Sequence, residues 1–140
     1  MTNPFELQRL ATRDPADGDA MMTEFLKLDY DYLDTGADLT LPIAATATNP
    51  IVLLNVVHIV KVAFTGGTPA IDVGDGTTAD AYIAAADITE GTIGNIIQSR
   101  GAGQAKATGE YLTAARAITV TLSASLATGT AVVLAEIFRL

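Results

Sequence analysis

The sequence predicts an all-β protein: an antiparallel β-sandwich, jelly-roll-like, with a short N-terminal arm. Three observations predict it. Apolar and polar residues alternate over several short segments, as in half-buried strands. Gly, Thr, Asp and Pro form turns between these segments, and no long amphipathic helix is present to connect parallel strands. The 140 residues are expected to form one domain, with an arm over residues 1–20 and a sandwich over residues 21–140.

The arm is predicted from the first twenty residues, which are too short and too interrupted to belong to the core. An Asn-Pro pair is typical of a helix start, and Phe5, Leu7 and Leu10 then give at most two amphipathic turns. The segment Thr12–Ala20, "TRDPADGDA", interrupts them with a proline, a glycine and three aspartates. We expect an arm that becomes ordered only on contact.

The first two strands of the sandwich are predicted from an alternation of period two. The segment "FLKLDYDYLD" alternates apolar with charged residues, and the pattern returns after a Thr-Gly turn. The residues predicted to face the core are Leu26, Leu28, Tyr30 and Tyr32, and then Leu39, Leu41 and Ile43.

The strongest β segment is Ile51–Phe64, which is rich in Val and Ile at both alternating positions. This pattern predicts a strand that is covered on both faces for much of its length. Fourteen extended residues would span about 45 Å. We therefore expect the strand to bend, to bulge or to pass between two sheets.

The second half of the chain contains shorter signals. A brief strand is predicted at Ile71–Val73, the following "YIAAADI" could hold one helical turn, and Ile93–Ser99 alternates weakly. The stretch Arg100–Glu110, "RGAGQAKATGE", has the composition of a flexible loop. We expect Ile118–Leu122 to pair with the last strand across the turn Ser123–Gly129, as a closing hairpin.

Composition excludes several classes of function. Hydrophobic residues make up 49% of the chain and the mean hydropathy is +0.35, which predicts burial of surface against other chains. The net charge of −8 argues against nucleic-acid binding. No apolar run reaches membrane-spanning length and no secretory signal is present, so we expect no membrane association and synthesis in a cytoplasm. Without cysteine there is no disulfide, thiolate nucleophile or Cys-based zinc site.

Catalytic groups are scarce. His58 is the single histidine and lies mid-strand on the face of Val56 and Val60, so a packed or interface residue is favoured over a base or ligand. The stretch Gly101–Lys106, "GAGQAK", lacks the Gly-Lys-Ser/Thr ending of a phosphate-binding loop. No catalytic residue and no cofactor is predicted.

The stretch Ile71–Ile83, "IDVGDGTTADAYI", holds three aspartates, two glycines and two threonines. Such residues supply turn conformations and cap amides, which favours a polar corner whose two ends return to the core. Clustered carboxylates also suit calcium, which remains the alternative interpretation here and at Asp14–Asp19. The alternative ligands are Asp72, Asp75 and Asp80, with Asp87 and Glu90 downstream.

Asp29 and Asp31 share one face of the first strand, about 7 Å apart. Paired carboxylates could serve glycoside hydrolysis. Tyr30 and Tyr32 point to the other side, so we expect no aromatic platform for a sugar. A solvated strand face is the favoured interpretation.

Taken in order, these features resemble small structural proteins of tailed bacteriophage virions. In that group a Val-rich strand leads to an "I-D-V-G-D-G" loop, an "A-Y-I-A" segment, a Tyr-Leu step, a Thr-rich strand and a last strand with an apolar end. The resemblance covers roughly residues 50–140 and none of the first forty. The matching segments are Ile71–Gly76, Ala81–Ala84, Tyr111–Leu112, Ile118–Ser123 and Ala131–Leu140.

The resemblance implies a head decoration (cement) or head-fibre protein, a β-sandwich that oligomerises on the capsid. The hypothesis is a non-enzymatic virion protein that binds the major capsid protein on the outer surface, as a homo-oligomer with three copies favoured. Phe5, Leu7 and Leu10 are the candidate capsid-docking residues. The alternative is a carbohydrate- or receptor-binding module of a head or tail fibre, and an enzyme is disfavoured.

Overall fold

The computed structural model describes residues 23–100, 104, 106 and 108–140. These residues form eight strands and two short 3₁₀ helices, Gly36–Leu39 and Ala85–Asp87. No helix in this part of the chain is long and apolar enough to cross a membrane. The strands are β1 Thr23–Asp31, β2 Thr40–Ile43, β3 Ile51–Thr65, β4 Ile71–Gly74, β5 Ile96–Gln98, β6 Glu110–Leu112, β7 Arg116–Leu122 and β8 Thr128–Arg139.

Two antiparallel sheets pack on each other. The first sheet has the order β1-β8-β3-β5, with β6 also paired to β3, and the second has the order β2-β7-β4. The prediction of an antiparallel β-sandwich is confirmed. Consecutive strands alternate between the sheets, except that β5 and β6 both lie beside β3. The finer jelly-roll assignment stays a prediction, which this alternation supports.

The inner faces of both sheets form one core, and its members follow the predicted alternation. Tyr30, Leu41 and Ile43 are buried at their predicted positions, with Leu26 and Leu28 partly buried against them. The predicted helical turn in "YIAAADI" is present as the second 3₁₀ helix. Period two therefore identified the buried residues of these strands correctly.

The long strand β3 departs from straight pairing, as its length predicted. Its register with β8 shifts between Leu53 and Asn55 and again on either side of Val62. Within the last shift, Gly129 of β8 lies against Phe64, and a Cβ on Gly129 would meet the ring at 2.1 Å. Bulges with extra residues bend the strand over the core.

The predicted closing hairpin between β7 and β8 is wrong. β7 pairs with β2 and β4 in the second sheet, whereas β8 pairs with β1 and β3 in the first. The loop crosses between the sheets, and it is held by hydrogen bonds from Ser123 N to Ala70 O (3.0 Å) and from Ala127 N to Thr65 O (2.6 Å). Both strands present an apolar face to the core, and in separate sheets these two faces pack against each other across the sandwich.

Candidate functional site

The outer face of the first sheet is mostly apolar across its two central strands, β8 and β3, where Glu136 is a charged residue between Leu134 and Phe138. Cross-strand register brings these residues together: Phe138 pairs with Val52, and Val132 pairs with Ile59. At the far edge Ile96 and Tyr111 are more than half exposed. We call this surface the outer apolar face; it consists of Val52, Val57, Ile59, Val132, Leu134 and Phe138, with Ile96 and Tyr111 at its edge.

On this face an expectation from the sequence is not met. β3 was predicted to be covered on both faces, but within the described residues only its inner face is covered. Val52, Val57 and Ile59 on the other side are partly exposed. Exposed apolar surface of this kind on a small protein is a candidate contact surface.

The outer face of the second sheet is polar. Thr40 pairs with Thr119, and Asp72 pairs with Thr121, all on the outer side of strands whose inner residues are buried. Pro42 and Ala117 complete this face. Hydroxyl and carboxylate groups are well solvated there, so this face is suited to water.

Charged residues lie beside the outer apolar face, along the outer side of β1. Asp29 contacts Lys27 at 3.0 Å and Lys61 at 3.5 Å, and all three side chains are about half exposed. The hydrogen bond from Lys27, and the charge of both lysines, lower the pKa of the Asp29 carboxyl. This group has a net positive charge of one.

The loop after β4 is a polar corner, as the sequence predicted. Asp75 Oδ1 accepts hydrogen bonds from Thr77 N (2.9 Å) and Thr78 N (2.7 Å), which is the geometry of an aspartate turn. A Cβ on Gly74 would lie 2.1 Å from the Thr78 carbonyl oxygen, so only glycine permits this close approach. Gly76 has a φ of +86°, which also favours glycine.

Sequence reasoning missed an ionic cluster at the base of this loop. Asp75 Oδ2 lies 2.7 Å from Lys106 Nζ and 3.2 Å from Arg116 Nη1, and the carboxylate of Glu110 contacts both cations. The Tyr82 hydroxyl donates to Glu110 Oε1 at 2.6 Å. The hydrogen bond from Lys106 is the main cause that holds the pKa of Asp75 well below its usual range.

The ionic cluster joins the loop after β4 to the segment before β6 and to the start of β7. It consists of Asp75, Lys106, Glu110 and Arg116, with Tyr82. The lysine of the weak phosphate-loop motif is therefore ion-paired within the chain. Asp75 precedes Lys106 by 31 positions and Arg116 by 41 positions, so only the fold brings it to these cations. The four-residue spacing of Lys106 and Glu110 could have indicated this one pair but not the cluster.

His58 is an interior residue, as predicted, on the same face as Val56 and Val60. It is fully buried, and its Nε2 shares a hydrogen bond of 2.5 Å with the Tyr30 hydroxyl. Its Nδ1 is buried and has no partner among the described residues. Burial lowers the pKa of His58 to about 4, so the imidazole is neutral at pH 7.

Several of the remaining acidic candidates have structural contacts, whereas Asp87 Oδ2 is buried and has no partner among the described residues. Asp72 Oδ1 accepts from Ala85 N at 2.8 Å, and Asp31 Oδ1 accepts from Leu33 N at 2.7 Å. Asp29 is exposed and Asp31 is partly exposed, in agreement with a solvated strand face. The expectation that no aromatic residue lies on that face is wrong, because Phe25 shares it and is 59% exposed.

No group of three or more potential metal-ligating residues occurs among the residues that the structure describes. The predicted docking residues Phe5, Leu7 and Leu10 lie outside these residues, as do Asp14–Asp19.

Comparison with known proteins gave few matches. No protein-family model matches the chain, and no curated protein sequence does. Among solved structures, a chain of the cyanophage Pam1 capsid asymmetric unit is similar, with a TM-score of 0.49 and 23% sequence identity. The similarity covers 83% of this chain and 84% of that chain.

Proposed function

We propose that this protein is a non-enzymatic structural component of a bacteriophage virion that decorates the outer surface of the capsid by binding the major capsid protein. Its place would be the capsid surface, after synthesis in the host cytoplasm. The resemblance of residues 50–140 to virion structural proteins supports this class of function, and the chemistry of the molecular surface supports the mode of action.

The observation that carries the proposal is the difference between the two outer faces. A monomer surrounded by water would gain nothing from Val57, Leu134 and Phe138 on the outside of its first sheet. Burial of such side chains contributes roughly 25 cal/mol per Å² when a partner covers them. A flat apolar sheet repeated over a lattice provides many modest contacts, and it needs no catalytic group.

The described part of the chain begins beside this face. The first described residue, Thr23, pairs with Phe138, and Phe138 pairs with Val52 on the outer apolar face. An arm that carries Phe5 and Leu7 therefore begins where it can extend the same contact. Ordering of the arm costs entropy, which burial of its apolar residues and the avidity of several copies offset.

Side chains that could perform chemistry in the described part of the chain have structural contacts instead. His58 is neutral and buried in the core, and Asp75 is held by two cations and two backbone amides. A base or nucleophile must be reachable by a substrate. These contacts support a role in assembly.

The alternative function, a carbohydrate-binding module, finds less support in the geometry. Its exposed aromatic residues Phe25 and Tyr111 lie on β1 and β6, at opposite edges of the first sheet. Three strand spacings separate them by at least about 14 Å. A groove of about 450 Å³ beside Leu33 contains Tyr32, but this ring packs against the core.

Co-sedimentation with capsids that lack the protein tests the proposal. The full chain should pellet with the capsids at saturation. A protein without residues 2–20 should retain its β-sheet circular dichroism and its oligomeric mass but lose most capsid binding, because Phe5, Leu7 and Leu10 are gone.

Each other result has a defined meaning. Absence of the full chain from the pellet would refute capsid decoration. Undiminished binding of the truncated protein would refute docking by the arm and leave the outer apolar face as the contact. Loss of the oligomer on truncation would assign the arm to a neighbouring subunit.

A further inference from the structure

The four sheet edges of the sandwich differ in how they are protected. In the second sheet, β2 is short and contains Pro42, while the outer side of β4 is bridged by Ile83, which accepts from Val73 N at 2.9 Å. In the first sheet, the β5–β6 edge consists of two three-residue strands separated by residues 99–109. Short strands, proline and covering segments are the usual protections of an edge.

The remaining edge, β1, has none of these three protections, and the charged side chains of Lys27 and Asp29 are the protection that it has. It runs for nine residues without a bulge or proline, and no described strand pairs with its far side. The Tyr32 N–H donates to Gly129 O, so even-numbered residues of β1 form the hydrogen bonds to β8. Phe25, Lys27 and Asp29 therefore direct their backbone N–H and C=O groups away from the sheet.

The open part of the edge has a defined end. The outward N–H of Asp31 is already occupied by Asp34 Oδ2 at 2.8 Å. An added strand can thus form its central hydrogen bonds with Phe25, Lys27 and Asp29. A second β1 in antiparallel orientation must align odd residues with odd residues, since only these have free backbone groups.

We propose that two copies of this chain pair through β1, with Leu28 of one copy opposite Leu28 of the other. In this register Lys27 of each copy lies opposite Asp29 of its partner, which gives two reciprocal ion pairs beside four central backbone hydrogen bonds. The neighbouring register, centred on Lys27, places the two lysines opposite each other and is repulsive. The charge pattern therefore favours a second copy of this chain as the partner, in the register centred on Leu28.

This pairing has a consequence for capsid binding. One outer apolar face is three strands wide, over β8, β3 and the β5–β6 edge, and about seven residues long, which corresponds to about 330 Å². Two such faces provide about 660 Å², near the lower end of the roughly 600–1,000 Å² that one partner contributes to a standard protein interface. Pairing itself does not depend on a capsid, so it can be tested apart from the proposed function. It gives two copies, whereas the sequence analysis favoured three.

Charge exchange at the edge tests the proposal by light scattering at tens of micromolar protein. All variants carry Lys61→Gln, because Lys61 also contacts Asp29. The protein with Lys61→Gln alone is the reference, and it should have the mass of two 14.5 kDa chains. Lys27→Glu should shift it to one chain, with at least a tenfold weaker association, and Lys27→Asp combined with Asp29→Lys should restore two chains.

Hydrogen exchange at β1 provides a second readout with an internal control. The amides of Leu26 and Leu28 bond to β8 and should exchange slowly in every variant. The amides of Phe25, Lys27 and Asp29 should be protected in the reference and exchange fast in Lys27→Glu.

Several outcomes would overturn the pairing. They are a reference mass of one or of three chains, a Lys27→Glu variant that stays paired, and a double exchange that stays monomeric. Odd-numbered amides that remain protected in a monomeric Lys27→Glu variant would show that a segment of the same chain covers the edge.

Discussion

The two sheets of the sandwich bury their inner faces in one core, but their outer faces are chemically different. The first sheet presents the outer apolar face, with Val57 and Leu134 at its centre. The second sheet presents threonines at the equivalent central positions, Thr119 and Thr121 of β7. The sheets also differ in their polar groups. The first sheet buries His58 in the core, and the ionic cluster stabilises one end of the second sheet.

This difference indicates which side of the molecule faces a partner. Stability of the isolated sandwich requires only the inner faces, and the second sheet shows that a polar outer face is compatible with the fold. The apolar residues on the first sheet are therefore the ones that we propose for contact with another protein. The polar groups of each sheet should also give each a distinct response to pH and substitution.

The largest stability effect should come from acid acting on the first sheet. His58 has a pKa of about 4 when folded, against 6.5 in an unfolded chain, so only the unfolded state takes up the proton between these values. Stability should therefore fall as pH decreases from 6.5 to 4, by about 3 kcal/mol in total. Urea unfolding at several pH values measures this decrease in the free energy of unfolding.

His58→Gln is the control for this pH dependence, because it can still hydrogen-bond to Tyr30 but does not titrate. Its stability should be nearly flat over the same range. Asp75 acts at lower pH. Because the pKa of its carboxyl is depressed in the folded state, Asp75 stabilises the fold above a pH of about 3.8. This contribution is lost only as the pH falls further. Equal slopes in His58→Gln and the parent would contradict the assignment.

A smaller effect should follow from removal of one cation from the ionic cluster. Arg116→Met leaves the two largely buried carboxylates, Asp75 and Glu110, with Lys106 alone, and should cost about 2 kcal/mol. Arg139→Met is the matched control, since its pair with Glu24 is half exposed and should contribute less than about 0.5 kcal/mol. Thermal melting compares the two, and equal losses would show that the cluster is not structural.

The smallest effect should come from removal of metal ions. Around Asp75, Lys106 and Arg116 occupy the positions where a calcium ion would need space and negative charge. EDTA should therefore leave the melting temperature unchanged. A decrease of many degrees that calcium reverses would identify Asp72, Asp75 and Asp80 as ligands.

Much of the fold could be predicted from local pattern. Alternation identified Leu41, Ile43 and Ile118 as core residues, and the turn chemistry of the "IDVGDG" loop was recognised from its aspartates and glycines. The length of β3 predicted its bulges. Each of these features depends on residues within a few positions of one another.

The features that failed are long-range. The choice of β7 between a hairpin with β8 and a place in the other sheet depends on β2 and β4, far away in the chain. The ionic cluster likewise joins Asp75 to Arg116 across 41 positions. Apolar residues at both odd and even positions of β3 did indicate that its outer side is apolar. They could not show that no described segment covers this side.

The outer apolar face can be tested most directly with one pair of substitutions in the capsid co-sedimentation assay. Val57→Glu and Thr121→Glu place the same charge at outward positions on interior strands of the two sheets, both occupied by β-branched residues. With folding verified by circular dichroism, Val57→Glu should weaken binding at least about 100-fold, since it buries an unpaired carboxylate in the contact. Thr121→Glu should bind like the parent. Equal binding by both variants, or loss with Thr121→Glu alone, would contradict the assignment of the outer apolar face as the contact surface.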